Sequence, residues 1–410
     1  MKTDTEKNSA HSFSERVKRQ KDIVDQEALY KTNITLIGGT LSAEFVLAGL
    51  AGLGVGTVGI IAENSANGFF DPLATQEGIS GNPNEILAGL ATWINFEQNY
   101  IPVDDPLPNS LIIDCGVEER EYKHKGHYVR GVCSKNTSAY GSKIEHKSEN
   151  ESPIAACVLG GALTQVARQY AHEKSYREWF SFVGSKPSFE RALFVGGGAT
   201  GTWSTLVATL AGLKNFDILD DDDIEGHNLN RQILFYNRIA EQKAETLHER
   251  LGFLGKKGSF SLDRLVEENK SMLADYDVLF SCVDNLACRR IMNDYAIEQG
   301  VRLVNGGTSA YGGNVSSFAP GETSCIACRT EIDGEEPKID GEVNGAGCPY
   351  VNNPSIIMPN MIIGALMIDA SSWSDEHVWR YDCASNSLFA TEVDYTCRDA
   401  CSCGGLRDAQ

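Results

Sequence analysis

The chain has 410 residues, 22% charged and 42% apolar, which is globular composition with room for more than one core. A net charge of −20 argues against nucleic acid as a partner, because phosphate backbones are gripped by clustered Lys and Arg. No apolar run is long enough for a membrane span, the charged N-terminus lacks a signal peptide's apolar stretch, and 12 cysteines are too sparse for a disulfide scaffold; a cytoplasmic protein with reduced thiols and no membrane contact is expected.

In chain order, residues 1–30 are polar, with a helical pattern from Ser14. Residues 33–62 read as strand, glycine turn, apolar helix, glycine turn and strand. A helix is expected over 84–95 within a loop-rich stretch, then a short buried strand over 111–114. Residues 118–150 are polar, 154–170 form an apolar-striped helix, and 171–188 read as a polar connector. Strands over 192–195, 216–219, 277–281 and 301–305 then alternate with helices over 202–211 and 240–251. That alternation implies βαβ units and a mainly parallel, doubly wound sheet.

The chain also repeats itself. Leu36-Ile37-Gly38-Gly39 is answered by Phe194-Val195-Gly196-Gly197. Thr137-Ser138-Ala139-Tyr140-Gly141 recurs letter for letter as Thr308-Ser309-Ala310-Tyr311-Gly312, and Gly161-Ala162-Leu163 as Gly364-Ala365-Leu366. Two α/β halves are therefore expected, 1–185 and 186–410, and the reactive side chains concentrate in the second.

Gly196-Gly197-Gly198-Ala199-Thr200-Gly201 lies between a strand and a helix, where backbone N–H groups and the helix dipole suit a phosphate. Asp220, at the end of the next strand, stands where dinucleotide folds place a ribose-binding carboxylate. Hydride transfer does not account for the residues further along: Asn228-Leu229-Asn230-Arg231-Gln232, then Lys243, then Asp284-Asn285 after another strand. Two cations and a carboxylate at strand ends suit a triphosphate with Mg²⁺.

These blocks resemble the ThiF/MoeB/ubiquitin-activating enzyme superfamily, and Val304-Asn305-Gly306, Phe318-Ala319-Pro320-Gly321-Glu322 and Cys325-Ile326-Ala327-Cys328 continue the likeness. The fourth glycine-loop position is Ala199, where that family more often has glycine. The resemblance implies ATP-dependent adenylation of a carboxylate. Asp220 and Asp222 would bind the nucleoside. Gly196, Gly198, Gly201, Asn228, Arg231 and Gln232 would line the phosphates, Lys243 would meet the α-phosphate, and Asp284 would hold Mg²⁺. It also implies two Rossmann-like, doubly wound halves fused as a pseudo-dimer, with further oligomerisation open.

In the first half Ala62, Asn84 and Val117 stand near the positions of Asp220, Lys243 and Asp284, which suggests an inactive half. Its Arg16-Val17-Lys18-Arg19-Gln20 is similar to the family segment whose arginine reaches a partner's ATP site, so Arg19 and Arg16 are candidate fingers. Cys325 and Cys328 form half a zinc site, which Cys401 and Cys403 would complete, with Cys397 as the alternative. Cys348 is the candidate nucleophile for a thioester or persulfide. The expected partner is a precursor peptide, as for the microcin C and pantocin A enzymes, or else a small ubiquitin-like or sulfur-carrier protein.

Overall fold

Two short apolar runs, each ended by a glycine, become the central strands of two sheets. The computed structural model describes residues 13–62, 68–117, 126–142, 144, 147–330, 332, 354–391 and 403. The first half comprises α1 (Phe13–Arg16), α2 (Gln26–Tyr30), β1 (Asn33–Ile37), α3 (Leu41–Leu53), β2 (Thr57–Ile61), α4 (Phe70–Gln76), α5 (Pro83–Ile94), β3 (Asn99–Pro102), β4 (Leu111–Asp114), β5 (Tyr128–Ser134), β6 (Thr137–Gly141), α6 (Pro153–Glu173) and β7 (Trp179–Val183). The second comprises β8 (Ala192–Val195), α7 (Ala199–Leu210), β9 (Phe216–Leu219), α8 (Lys243–Phe253), β10 (Phe260–Ser261), β11 (Val278–Ser281), α9 (Leu286–Gln299), β12 (Arg302–Ser309), β13 (Gly312–Phe318), α10 (Ile326–Arg329), α11 (Ile357–Asp369), β14 (Val378–Asp382) and β15 (Ser387–Thr391).

The strand orders are β3-β2-β1-β4-β5-β6-β7 and β10-β9-β8-β11-β12-β13-β14-β15. In each sheet five strands are parallel and the rest antiparallel. Both are therefore α/β sheets with the same connectivity. Their topological switch points lie between β1 and β4 and between β8 and β11, where such folds bind ligands at the carboxyl ends of strands. Gly38 and Gly196 sit at those ends with φ of +116° and +99°. A Cβ on either would lie 2.7–2.8 Å from the carbonyl oxygen of Cys115 or Cys282. Glycine is required at both positions, so this landmark of the repeat is a structural equivalence.

The repeated pentapeptide is not. Thr137–Gly141 is the whole of β6, whereas Thr308 and Ser309 end β12 and Gly312 opens β13. The identical letters fall in different places, one in a strand and one across a hairpin turn. Residues 171–188 also differ from the connector expected there. Trp179-Phe180-Ser181-Phe182-Val183 is an edge strand in which Phe180 and Phe182 are buried and their neighbours exposed. The period of two was present, but the polar flanks concealed it. Strands β5 and β6 likewise occupy part of the polar stretch 118–150.

The halves meet through α3, α6, α7 and α11, all almost wholly buried. Small residues permit that approach. A Cβ on Gly160 would lie 2.5 Å from Phe45 Cβ, one on Gly161 2.6 Å from Ile362 Cγ1, and one on Gly364 2.5 Å from Trp203 Cβ. Phe45 and Trp203 face each other at a centroid distance of 6.2 Å. One apolar cluster runs from Leu36 of the first half to Val304 of the second.

Buried polar contacts cross the same boundary. Arg250 reaches Glu77 at 3.0 Å, and Asn386 donates to the Tyr140 hydroxyl at 2.8 Å. Gly364→Ala should destabilise the chain by about 1–3 kcal/mol by overpacking, although Ala is the better helix former by about 1 kcal/mol. Chemical denaturation reads the sign, and a stabilised variant would contradict this packing.

Candidate active site

The loop from β8 into α7 is shaped by what its glycines would otherwise touch. A Cβ on Gly201 would lie 2.0 Å from the Gly196 carbonyl oxygen, so the helix can sit against the strand only with glycine there. A Cβ on Gly198 would meet nothing within 4 Å. That face is open, and α7 starts at Gly198 without a side-chain cap. The result is an exposed helix N-terminus of the kind that receives phosphate.

Asp220 lies beside this loop. It accepts the Gly197 N–H at 2.5 Å and the Asp222 N–H at 2.9 Å, which aligns the strand end with the glycine turn. Burial pushes its carboxyl up to about 6, against the pull of Lys243. Lys243, the first residue of α8, donates to Asp222 Oδ2 at 2.7 Å. Burial alone would lower its pKa, but Asp220 and Asp222 outweigh it and the net shift is upward.

Asn228 ends one 3₁₀ turn (Gly226–Asn228), and Arg231 and Gln232 lie between it and a second (Ile233–Phe235). Asn228 Oδ1 accepts the Glu225 N–H at 2.9 Å, and Arg231 Nη1 donates to the His227 carbonyl at 2.8 Å and to Asn230 Oδ1 at 2.7 Å. Trp203 Nε1 donates to the Arg231 carbonyl at 2.9 Å, which fixes this segment to α7. Gln232 Oε1 is buried and has no hydrogen-bond partner among the described residues.

The N-terminal arm joins the site from the other half. Asn230 donates to Gln20 Oε1 at 3.1 Å, and Arg16 Nη1 donates to the Leu229 carbonyl at 2.9 Å. Arg16 also reaches the Ile94 carbonyl and is buried, which lowers its pKa to about 10. Its guanidinium braces the two halves through main-chain oxygens. Arg19 is only half-buried, and the Ser355 N–H is anchored to its carbonyl at 2.7 Å.

The imidazole of His227 shows how much positive charge gathers here. Burial, then Arg231, Arg19, Lys243 and Lys18, push it down to about 3. Cations from both halves thus act on one imidazole, whose Nδ1 also stands 3.1 Å from Glu225 Oε2.

Asp284 is exposed just beyond β11. The turn that carries it is pinned from both sides. Asn285 caps α9 by accepting the Cys288 N–H at 2.8 Å, and Arg289 ties the Val283 carbonyl to Asn305 and to the Gly306 carbonyl. In the first half Ala62 directly follows β2 as Asp220 follows β9, and Asn84 Oδ1 accepts the Ala62 N–H. Val117 stands three residues beyond β4, as Asp284 stands three beyond β11. Among the described residues, the first half therefore has no carboxylate or lysine at these positions.

Cys325, Cys328 and Cys403 bring their sulfurs within 4.8 Å of one another, with Cys325 and Cys328 3.6 Å apart. Thiolates on a tetrahedral zinc stand about 3.8 Å apart, given Zn–S of about 2.3 Å. The donor set fits zinc. Cys348, Cys397 and Cys401 lie outside the described residues.

Residues 185–374 match the family model described as the ThiF family. The second half is thus similar to the ThiF family. A SUMO-activating enzyme subunit 2 from Dictyostelium discoideum is 29% identical over 189 residues, covering 43% of this chain and 27% of that protein. A sulfur carrier protein ThiS adenylyltransferase from Escherichia coli (strain K12) is 30% identical over 166 residues, covering 39% and 66%. Its counterpart from Bacillus subtilis (strain 168) is 28% identical over 164 residues, covering 38% and 49%. The chain thus spans between about a quarter and two thirds of the length of these relatives. A crystal structure of E. coli MccB with MccA-N7isoASN aligns over 53% of this chain and 67% of that one, at TM-score 0.42 and 16% identity.

Two residues of the second half do more than their sequence context conveys. His227 reads as a plain loop residue, though its place directly before the Asn228–Gln232 block is a signal. Arg289 carries no signal, since its role depends on contacts with β12.

Asp220 yields a stability prediction. Its folded pKa of about 6 lies above the ordinary 3.8. This group's stabilising contribution is therefore full below pH 3.8 and lost as pH rises through 6. Asp220→Asn should become progressively more stable than the parent between pH 4 and 7. Parallel denaturation profiles across that range would contradict it.

Proposed function

We propose that this chain uses ATP to activate a carboxylate as an acyl-adenylate, with residues 186–410 as the adenylation half and 1–185 as a degenerate half. The observation that carries this is an uncapped helix N-terminus at Gly198 whose loop is bonded to Asp220, with Lys243 paired to the neighbouring Asp222. In this reading Asp220 and Asp222 hold the nucleoside and the open face at Gly198 receives phosphate. Asn228, Arg231 and Gln232 line the polyphosphate, and Asp284 binds Mg²⁺. A triphosphate competes with Asp222 for Lys243, which then neutralises the α-phosphate. The substrate carboxylate oxygen bonds to the α-phosphorus as the bond to pyrophosphate breaks, and fixed cations stabilise the spreading charge.

The carboxylate we favour belongs to a ribosomally made precursor peptide in antibiotic biosynthesis. The stretch 330–356, between α10 and α11, is too short to fold as an inserted catalytic-cysteine domain. The named relatives favour a second reading, activation of a ubiquitin-like or sulfur-carrier protein, in which Cys348 would form the thioester or persulfide. In both readings Cys325, Cys328, Cys403 and one of Cys401 and Cys397 hold Zn²⁺ and staple the C-terminal segment to the domain. Metal analysis should find one zinc per chain, lost in Cys328→Ser; zinc-free native protein would exclude this.

ATP–pyrophosphate exchange tests the reaction. Short peptides encoded beside the gene should stimulate exchange; stimulation only by a diglycine-ended carrier protein selects the second reading. Arg19→Ala should slow exchange by about a hundredfold or more. An unchanged rate would remove the arginine from the mechanism.

A further inference from the structure

The N-terminus of α3, the first-half counterpart of α7, already carries an anion. Glu151 Oε2 accepts the Ser42 N–H at 2.8 Å, and Oε1 accepts the Ser42 hydroxyl at 3.0 Å. The Thr40 hydroxyl donates to the Cys115 carbonyl at 3.0 Å. Thr40 Oγ1 accepts the Ala43 N–H at 3.2 Å. The Ser42 and Ala43 amides in the first turn of this 13-residue helix therefore both end on side-chain oxygens.

The segment carrying Glu151 is fastened in place. The Glu149 N–H donates to the Cys133 carbonyl at 3.1 Å, the Lys135 N–H to the Glu149 carbonyl at 3.1 Å, and the Ser152 N–H to the Lys135 carbonyl at 2.9 Å. These bonds lay it along the end of β5 and hold Glu151 over the carboxyl edge of the sheet, beside the switch point between β1 and β4. The second half breaks the symmetry here. Gly160 meets Phe45 Cβ and the Val46 nitrogen as Gly364 meets Trp203 Cβ and the Ser204 nitrogen, so Gly364 is the counterpart of Gly160, one residue away from the Gly161 that the matching letters pair with it. Counting back equally from each places Ser355 where the first half has Glu151.

We propose that Glu151 is a built-in substitute for phosphate, filling the oxyanion site of the first half and leaving only the second half able to accept one. The inference rests on reading the α7 terminus as a phosphate site, but its test needs neither ATP nor activity. Burial pushes Glu151 up to about 7, so the measurement belongs at pH 8, where the carboxylate is ionised.

Thermal unfolding of the full chain is followed in inorganic phosphate and in chloride of equal ionic strength. Glu151→Ala should melt lower than the parent, and phosphate should raise its midpoint by about 2 °C or more beyond any rise in the parent. Glu151→Gln keeps the shape without the charge and should show the same selective response, which keeps the test open if the alanine variant does not fold. Equal phosphate responses in parent and variants, or a glutamine variant as stable as the parent and indifferent to phosphate, would overturn the proposal.

Discussion

Everything else in this molecule depends on how closely four helices approach at its centre. Gly160 and Gly364 draw the helices together within each half, and the Gly161–Ile362 and Phe45–Trp203 contacts join the halves around a continuous core. That rigidity lets a short N-terminal arm act at a distance in sequence. Arg16 and Gln20 bond to the Leu229–Asn230 stretch, which sets Arg19 and Lys18 close enough to His227 to shift its titration. A looser seam would deliver the same arginine to no fixed place.

The two halves share a connectivity and differ in what they put at the carboxyl ends of their strands. The second sets Lys243, paired with Asp222, near an uncapped helix and holds the half-buried Asp220 with its pKa raised. The Asp220 charge costs stability in the chain, as is common at functional sites. The first half supplies its own groups instead. Glu151 sits on α3, and a buried Arg130–Asp114 pair at 3.2 Å closes the end of β4. One half thus supplies the groups at its strand ends from within, and in the proposed reading the other receives an anion.

Much of this was legible in the sequence because it rested on local rules. A β-branched run followed by glycine located β1, and a strand, a glycine loop and a helix located the uncapped start of α7. Asp220 and Asp284 lie just past strand ends, where the alternation of elements puts them. What escaped was set by tertiary contact. The identical pentapeptides suggested an equivalence that the β12–β13 hairpin turn rules out, since register depends on partner strands rather than on letters. The edge strand β7 hid in polar flanks. Arg16 and Arg19 looked alike in sequence, and only the packing of Ile94 and Leu229 around one of them distinguishes a brace from a residue facing the cation cluster.

The central claim is that one half binds ATP and the other completes the site without binding its own. Calorimetric titration of the full chain with ATP and Mg²⁺ tests it most directly. The account predicts one site per chain, with binding lost in Lys243→Ala. Two sites per chain, or binding unchanged in that variant, would contradict it.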